Sequence, residues 1–224
     1  MKNILKKSCV LLAAGLLATS CSKFDDYVND PLKASPEQVQ VEYFINNSII
    51  AAQMDPNVAE RSFVLYWKTA GHQHSNTTFA IGTNVDDWTT VYYNYVSSWL
   101  NSATTAIQIA EDQVAKGQVK PYTNNLIQVA RIWRAYLMSE MSDNFGPIPI
   151  DAFKGTNPEF SSVKDVYYFA LAELKDASSK LDVNVANAPG LDKLDPAYGY
   201  DYKKWKKYAT SMRLRLAMRL SEVD

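Results

Sequence analysis

The chain has two cysteines, Cys9 and Cys21, and both fall within the first 21 of its 224 residues. The body has no thiol left for a disulfide or a thiolate metal site. Histidine is as scarce, with His72 and His74 the two in the sequence. There is no H-E-x-x-H, no Gly-x-Ser-x-Gly and no acidic pair placed by motif for glycosidic cleavage, so no catalytic signature is present. No cofactor motif is found either. Neither charge sign dominates: the formal net charge is −1, or −4 without Lys2, Lys6 and Lys7. That balance excludes the electrostatic footprint of a nucleic-acid binder.

What the chain does have is apolar and aromatic material. Hydrophobic residues make up 47% of it, enough for one domain with a substantial core. Fourteen Tyr and five Trp are present. Most of these are expected in the core, and a few are expected as exposed platforms for a ligand.

The stretch from Tyr122 to Asp151 organises the rest. Leu126, Ala130, Trp133, Leu137 and Met141 recur at helical spacing, and Val129, Ile132 and Tyr136 widen the stripe. This predicts a helix over about 125–142, enclosed by other helices. Asn144-Phe145-Gly146 supplies a helix stop, and Pro147 and Pro149 force an extended exit.

Residues 1–20 have a signal-peptide layout: basic Lys2, Lys6 and Lys7, then an apolar run from Cys9 to Ala18 that is too short to span a bilayer stably. Small residues lead into Cys21, which resembles the lipidated cysteine of a bacterial lipobox, with Ala18 where Leu is commonest. A lipid on Cys21 makes a membrane anchor rather than a span. Residues 21–34, with Lys23, Asp25 and Asp26, read as a polar tether or surface-export signal.

From residue 35 to 224 a helical domain is expected. Ser35 and Pro36 open a first helix with Val39, Tyr43, Ile50 and Met54 inward, ended by Pro56. A second helix, 58–70, aligns Phe63, Tyr66, Trp67 and Ala70. A polar loop follows at 71–87. A third helix runs from Asp86 to Lys116 with Trp88, Tyr92, Tyr95, Trp99, Ala103, Ala106 and Ala110 as its seam. After the organising helix, Ser162–Asp165 resembles a capping box that starts a fifth helix ending near Leu181. Asp192, Asp195 and Asp201 lack calcium-loop spacing and read as turn formers and caps. The last helix, 202–224, buries Trp205, Tyr208, Ala209, Met212, Leu216 and Leu220 and carries Arg213, Arg215 and Arg219. It is a membrane-surface segment or, preferably, a packed helix whose arginines meet acidic neighbours.

Loops on rigid helical scaffolds commonly carry recognition. The expected ligand contacts are therefore Trp67, His72, His74, Asn76, Phe79 and Trp88, in and beside the 71–87 loop. An H-x-H pair invites a metal, yet no third ligand is placed, so the histidines are expected to be plain surface or ligand-contacting residues.

Three stretches carry a resemblance. They are Trp88 with Tyr92 and Asn101; Ala130-Arg-Ile-Trp-Arg-Ala-Tyr leading to Asn144-Phe-Gly-Pro-Ile-Pro-Ile and Ser162-Val-Lys-Asp-Val-Tyr; and Trp205-Lys-Lys-Tyr-Ala-Thr-Ser-Met-Arg-Leu-Arg-Leu-Ala-Met-Arg. With the lipobox, these resemble the SusD/RagB family of outer-membrane nutrient-binding lipoproteins. The resemblance implies an all-α fold of tetratricopeptide-like helix pairs and no enzymatic activity. It implies capture of an oligosaccharide or peptide for a SusC-like TonB-dependent transporter at the cell surface, with Trp133, Gly146, Pro149, Trp205 and Arg215 as scaffold residues. Family members are about twice as long, so the sequence is expected to be a fragment whose last apolar face, Trp205 to Leu220, lacks a partner. A helical-repeat adaptor without a small ligand is the alternative reading.

Overall fold

A helix that is apolar around most of its circumference must be largely surrounded. Residues 123–145 of the computed structural model show this. The structure describes residues 39–54, 56–60, 67–68, 71–73, 86–154 and 157–223. The chain divides into two units, Met1–Val39 and Gln40–Asp224, and all described residues except Val39 lie in the second. The leader, the tether and Cys21 lie outside the described residues.

The elements, in chain order, are α1 (Val41–Ala51), α2 (Pro56–Ala59), α3 (Asp86–Ala115), α4 (Thr123–Phe145), α5 (Val163–Lys180) and α6 (Tyr202–Leu220), with a 3-10 turn at Leu191–Leu194. Among the described residues the β pairing is one isolated bridge, Ile148 to Ser161. The all-α expectation holds. Fifteen of the 23 residues of α4 are buried, so it needs cover on more than one side. It packs chiefly between α3 and α5, and also touches α1 and α6.

The helices alternate in direction. The Ile148–Ser161 bridge brings the start of α5 back to the end of α4. At the other end, Asn125 near the start of α4 bonds Asp182, just past α5, through its amide nitrogen (2.8 Å) and its oxygen (3.0 Å). Arg219, at the end of α6, meets Asp143 at the end of α4 and Tyr167 near the start of α5. Lys120, after α3, reaches Gln40 and Glu42 at the start of α1. Each helix thus runs antiparallel to its main neighbour.

Local chemistry sets the ends. Gly146 closes α4 at φ 81°, a conformation in which a side chain would be strained, and its N–H donates to Ser142 O at 2.8 Å. Ser162 caps α5 by accepting the Asp165 N–H (3.1 Å) while its hydroxyl donates to the Asp165 carboxylate (2.7 Å). Asp201 caps α6 through the N–H groups of Lys203 and Lys204.

Two expectations are corrected. Helix α1 begins at Val41, with Gln40 extended before it, and Ser35 and Pro36 lie outside the described residues. Its inward face is Val41, Ile45, Ser48 and Ile49, whereas Tyr43 and Ile50 are more than half exposed. The helical period is right and its phase is not, because Ser48 fills an inward position. Its hydroxyl donates to Trp99 O (2.8 Å) and accepts the Trp133 indole N–H (3.0 Å). Tyr95 likewise lies at the rim of the α3 seam, while Val96 is fully buried in its place.

The face of α6 from Trp205 to Leu216 is buried and packs on α5, so it has the partner that the fragment expectation denied it. Its arginines do meet acidic residues, Arg215 with Glu140 and Arg219 with Asp143.

The loop before α6 is built on a buried carboxylate. Asp195 accepts the N–H groups of Ala197 (2.9 Å), Tyr198 (3.3 Å) and Tyr200 (2.7 Å), and the Trp205 indole N–H (2.7 Å). It thereby holds Tyr200, itself buried, at the strained φ of 51°. Asp195→Asn replaces one acceptor oxygen by a donor and leaves two buried N–H groups unmatched. At about 1–3 kcal/mol each, the melting temperature should fall by roughly 5–15 °C. An unchanged melting curve would contradict this role for Asp195.

Candidate functional site

Two of the six expected ligand contacts are described with their surroundings. Trp67 is helical in backbone and 45% exposed, so its ring is not a core filler. The Gly71 N–H donates to Trp67 O at 2.9 Å, and the Gln73 N–H donates to Lys68 O at 2.8 Å. Trp67 and His72 therefore sit at the two ends of one helix-terminating turn. His72 is exposed, with φ 55°. Trp88 lies in the first turn of α3, and its side chain is outside the described residues, as are His74, Asn76 and Phe79. Among the described residues no three His, Cys, Asp or Glu side chains group as metal ligands.

The structure adds a cleft that the sequence reading missed. It has a volume of about 590 Å³ and runs along α3, α4 and α5. Thr104, Gln108 and Glu111 recur at helical spacing on its α3 wall, and Asn124, Gln128, Arg131 and Arg134 do the same on its α4 wall. Beneath the polar lining, Ile107 and Ile127 are buried.

One carboxylate holds the arginines. Glu173 of α5 is 8% exposed and takes two hydrogen bonds from Arg131, Nε at 3.0 Å and Nη2 at 2.8 Å. Arg134 Nη2 adds a third at 2.6 Å. Arg131 Nη1 also meets Gln128 (2.8 Å) and Asp176 (2.8 Å). Burial acts to raise the Glu173 pKa, but the Arg131 hydrogen bonds and the two guanidinium charges outweigh it and hold the carboxyl below the usual range. Half of the signal for this cluster was present: Arg131 and Arg134 sit three apart among the apolar neighbours Val129, Ala130, Ile132, Trp133 and Ala135. Each needs an anion there, and the anion lies 39 or more residues away.

A second cleft, about 420 Å³, lies by Asp143, Val163, Tyr167, Tyr168, Arg219 and Val223. Its polar wall is already paired, Tyr167 Oη donating to Asp143 at 2.5 Å and Arg219 pairing with the same carboxylate.

The model of the SusD-like family, described as Susd and RagB outer membrane lipoproteins, matches residues 32–224. The chain belongs to that family.

Solved structures agree in fold. A crystal structure of a SusD homologue from Parabacteroides distasonis is 25% identical, with a TM-score of 0.67 over 83% of this chain and 36% of that one. A chitin-binding protein is 23% identical, with a TM-score of 0.66 over 84% of this chain and 40% of that one. A SusD/RagB family protein from Bacteroides thetaiotaomicron is 18% identical, with a TM-score of 0.60 over 81% and 38%. The chain spans 36–40% of the length of these three proteins. No curated protein matches it.

The arginine cluster makes a pH prediction. The folded pKa of Glu173 lies below its unfolded value of about 4.3, so its contribution is present above that pH and is lost as pH falls through the folded pKa. Glu173→Gln should cost roughly 3 kcal/mol at pH 7, and the gap to the natural chain should close in acid. A gap that is the same at pH 7 and pH 3 would rule out the charge as its origin.

Proposed function

We propose that this chain is a lipid-anchored protein of the outer-membrane surface. It captures an oligosaccharide and passes it to a SusC-like TonB-dependent transporter without chemical turnover. The observation that carries the reading is the family match over residues 32–224, a family of outer membrane lipoproteins. Cys21 follows a basic start and an apolar run, which supports it as the acylated residue.

The saccharide class is supported by the exposed Trp67. A flat ring stacks on the apolar face of a pyranose, and polar neighbours bond its hydroxyls. The contacts assigned to this role are Trp67, His72, His74, Asn76, Phe79 and Trp88. The name of one structural neighbour, a chitin-binding protein, is in keeping with a sugar ligand. A peptide is the other ligand the family reading allows.

The test separates capture from turnover. Cells expressing the chain are labelled with a palmitate analogue, and the purified protein is screened against neutral and acidic oligosaccharides by calorimetry and product chromatography. The natural chain should take the label and Cys21→Ser should not. At least one oligosaccharide should bind and be recovered intact, and Trp67→Ala should weaken it about tenfold, the scale of one lost stacking contact. Release of shortened sugars would sink the reading, as would label on Cys21→Ser.

A further inference from the structure

We propose that the cleft along α3, α4 and α5 binds the carboxylate of an acidic sugar, a uronic-acid residue within an oligosaccharide, with Arg134 and Lys154 as its cationic partners. This names a substrate class for the oligosaccharide-capture reading and rests on it.

The two arginines are not equivalent. Arg131 is used up inside the protein, on Glu173, Asp176 and Gln128. Arg134 gives one N–H to Glu173, its cation lies 5.8 Å from the Phe169 ring centroid, and its Nε is buried with no acceptor. Glu173 serves both guanidinium groups, and the second anion, Asp176, is shared between Arg131 and Lys180. Arg134 thus shares Glu173 with Arg131, has the exposed Asp151 as its other nearby anion, and keeps its Nε donor without an acceptor. Lys154 lines the same cleft and is 52% exposed. Its ion pair is with Asp151 three residues away, itself 71% exposed, a contact of little worth in water that a ligand can replace.

The rest of the cleft suits a sugar of that kind. Its volume, about 590 Å³, falls within the usual range for small-molecule sites, about 300–1,000 Å³. Gln108 donates to Phe153 O, so its side-chain oxygen remains an acceptor for hydroxyls. Because α3 and α4 are antiparallel, Glu111 stands toward Asn124 and away from Arg134. It accepts hydroxyls there and repels a carboxylate, and Lys180, which lines that end too, is paired with Asp176 at 2.8 Å, so the acid is oriented toward Arg134. Among the described residues that line the cleft there is no aromatic ring. Recognition therefore depends on charge and hydrogen bonds, which separate acidic from neutral sugars.

The full chain is titrated with trigalacturonate, with its methyl ester and with acetate. The acid should bind at least about tenfold more tightly than the neutral ester, the scale of one hydrogen bond to a charged group. Added salt should weaken it, and acetate should give no signal. Lys154→Met and Gln108→Ala alter exposed positions and should keep the melting temperature. Lys154→Met should weaken the acid and spare the ester, and Gln108→Ala should weaken both. Equal binding of acid and ester, acetate matching the trisaccharide, or acid binding untouched by both variants overturns the proposal. If the acid fails while a neutral oligosaccharide is retained, the cleft assignment falls and the capture reading stands. If every oligosaccharide fails, both fall.

Discussion

The enclosure of α4 is the constraint on which the rest of residues 40–224 depends. A helix with Leu126, Val129, Ile132, Ala135 and Leu137 all within 1% exposure has little face to give to water beyond the polar strip that walls the cleft. It therefore recruits α3 and α5 on its long sides, with α1 and α6 completing the cover. Apolar burial alone does not choose which helix goes where, because it is non-directional. The polar residues of α4 supply the choice. Asn125 fits the backbone of Asp182 after α5. Trp133 needs Ser48 of α1. Arg131 and Arg134 need Glu173 of α5. Each is satisfied by one neighbour in one register, and a different arrangement would leave a buried donor or charge unmatched.

The second organising group is Asp195. The segment between α5 and α6 is long, and four N–H groups converging on one carboxylate convert it from a linker into a fixed bracket. The bracket grips Trp205, whose ring is fully buried and meets Tyr198 edge-on at 5.2 Å and Tyr208 at 5.6 Å. Helix α6 is thereby held at its first turn by Asp195 and at its last by Asp143. That double attachment is why a helix with seven Lys and Arg and no acidic residue lies packed on the stack.

Much of this was legible. The spacing of Leu126 to Met141 gives α4, Gly146 its end and Ser162 the start of α5. The motif residues Trp133, Gly146 and Trp205 do hold the scaffold, as the family resemblance implied, whereas Arg215 is exposed and reaches Glu140 at 3.8 Å. The phase of α1 was not legible, because a hydrophobic count places Ser48 outside while two indole-bearing helices draw it in. The Glu173 cluster was hidden for a related reason: its partners are close in space and far apart in sequence, so neither half looks paired alone. The ligand surface was legible least. The scaffold motifs report on packing, and the residues assigned to ligand contact lie in and beside the polar stretch 71–87, whose sequence has no apolar periodicity to read.

The account rests on one claim, that this scaffold serves a transporter at the outer membrane. The direct measurement is to tag the natural gene product, extract outer membranes in mild detergent and identify what co-purifies. Near-stoichiometric recovery of a TonB-dependent barrel, lost when Cys21→Ser releases the protein from the membrane, is the predicted result. Recovery of the natural protein from the soluble fraction, without lipid and without a barrel, would contradict it.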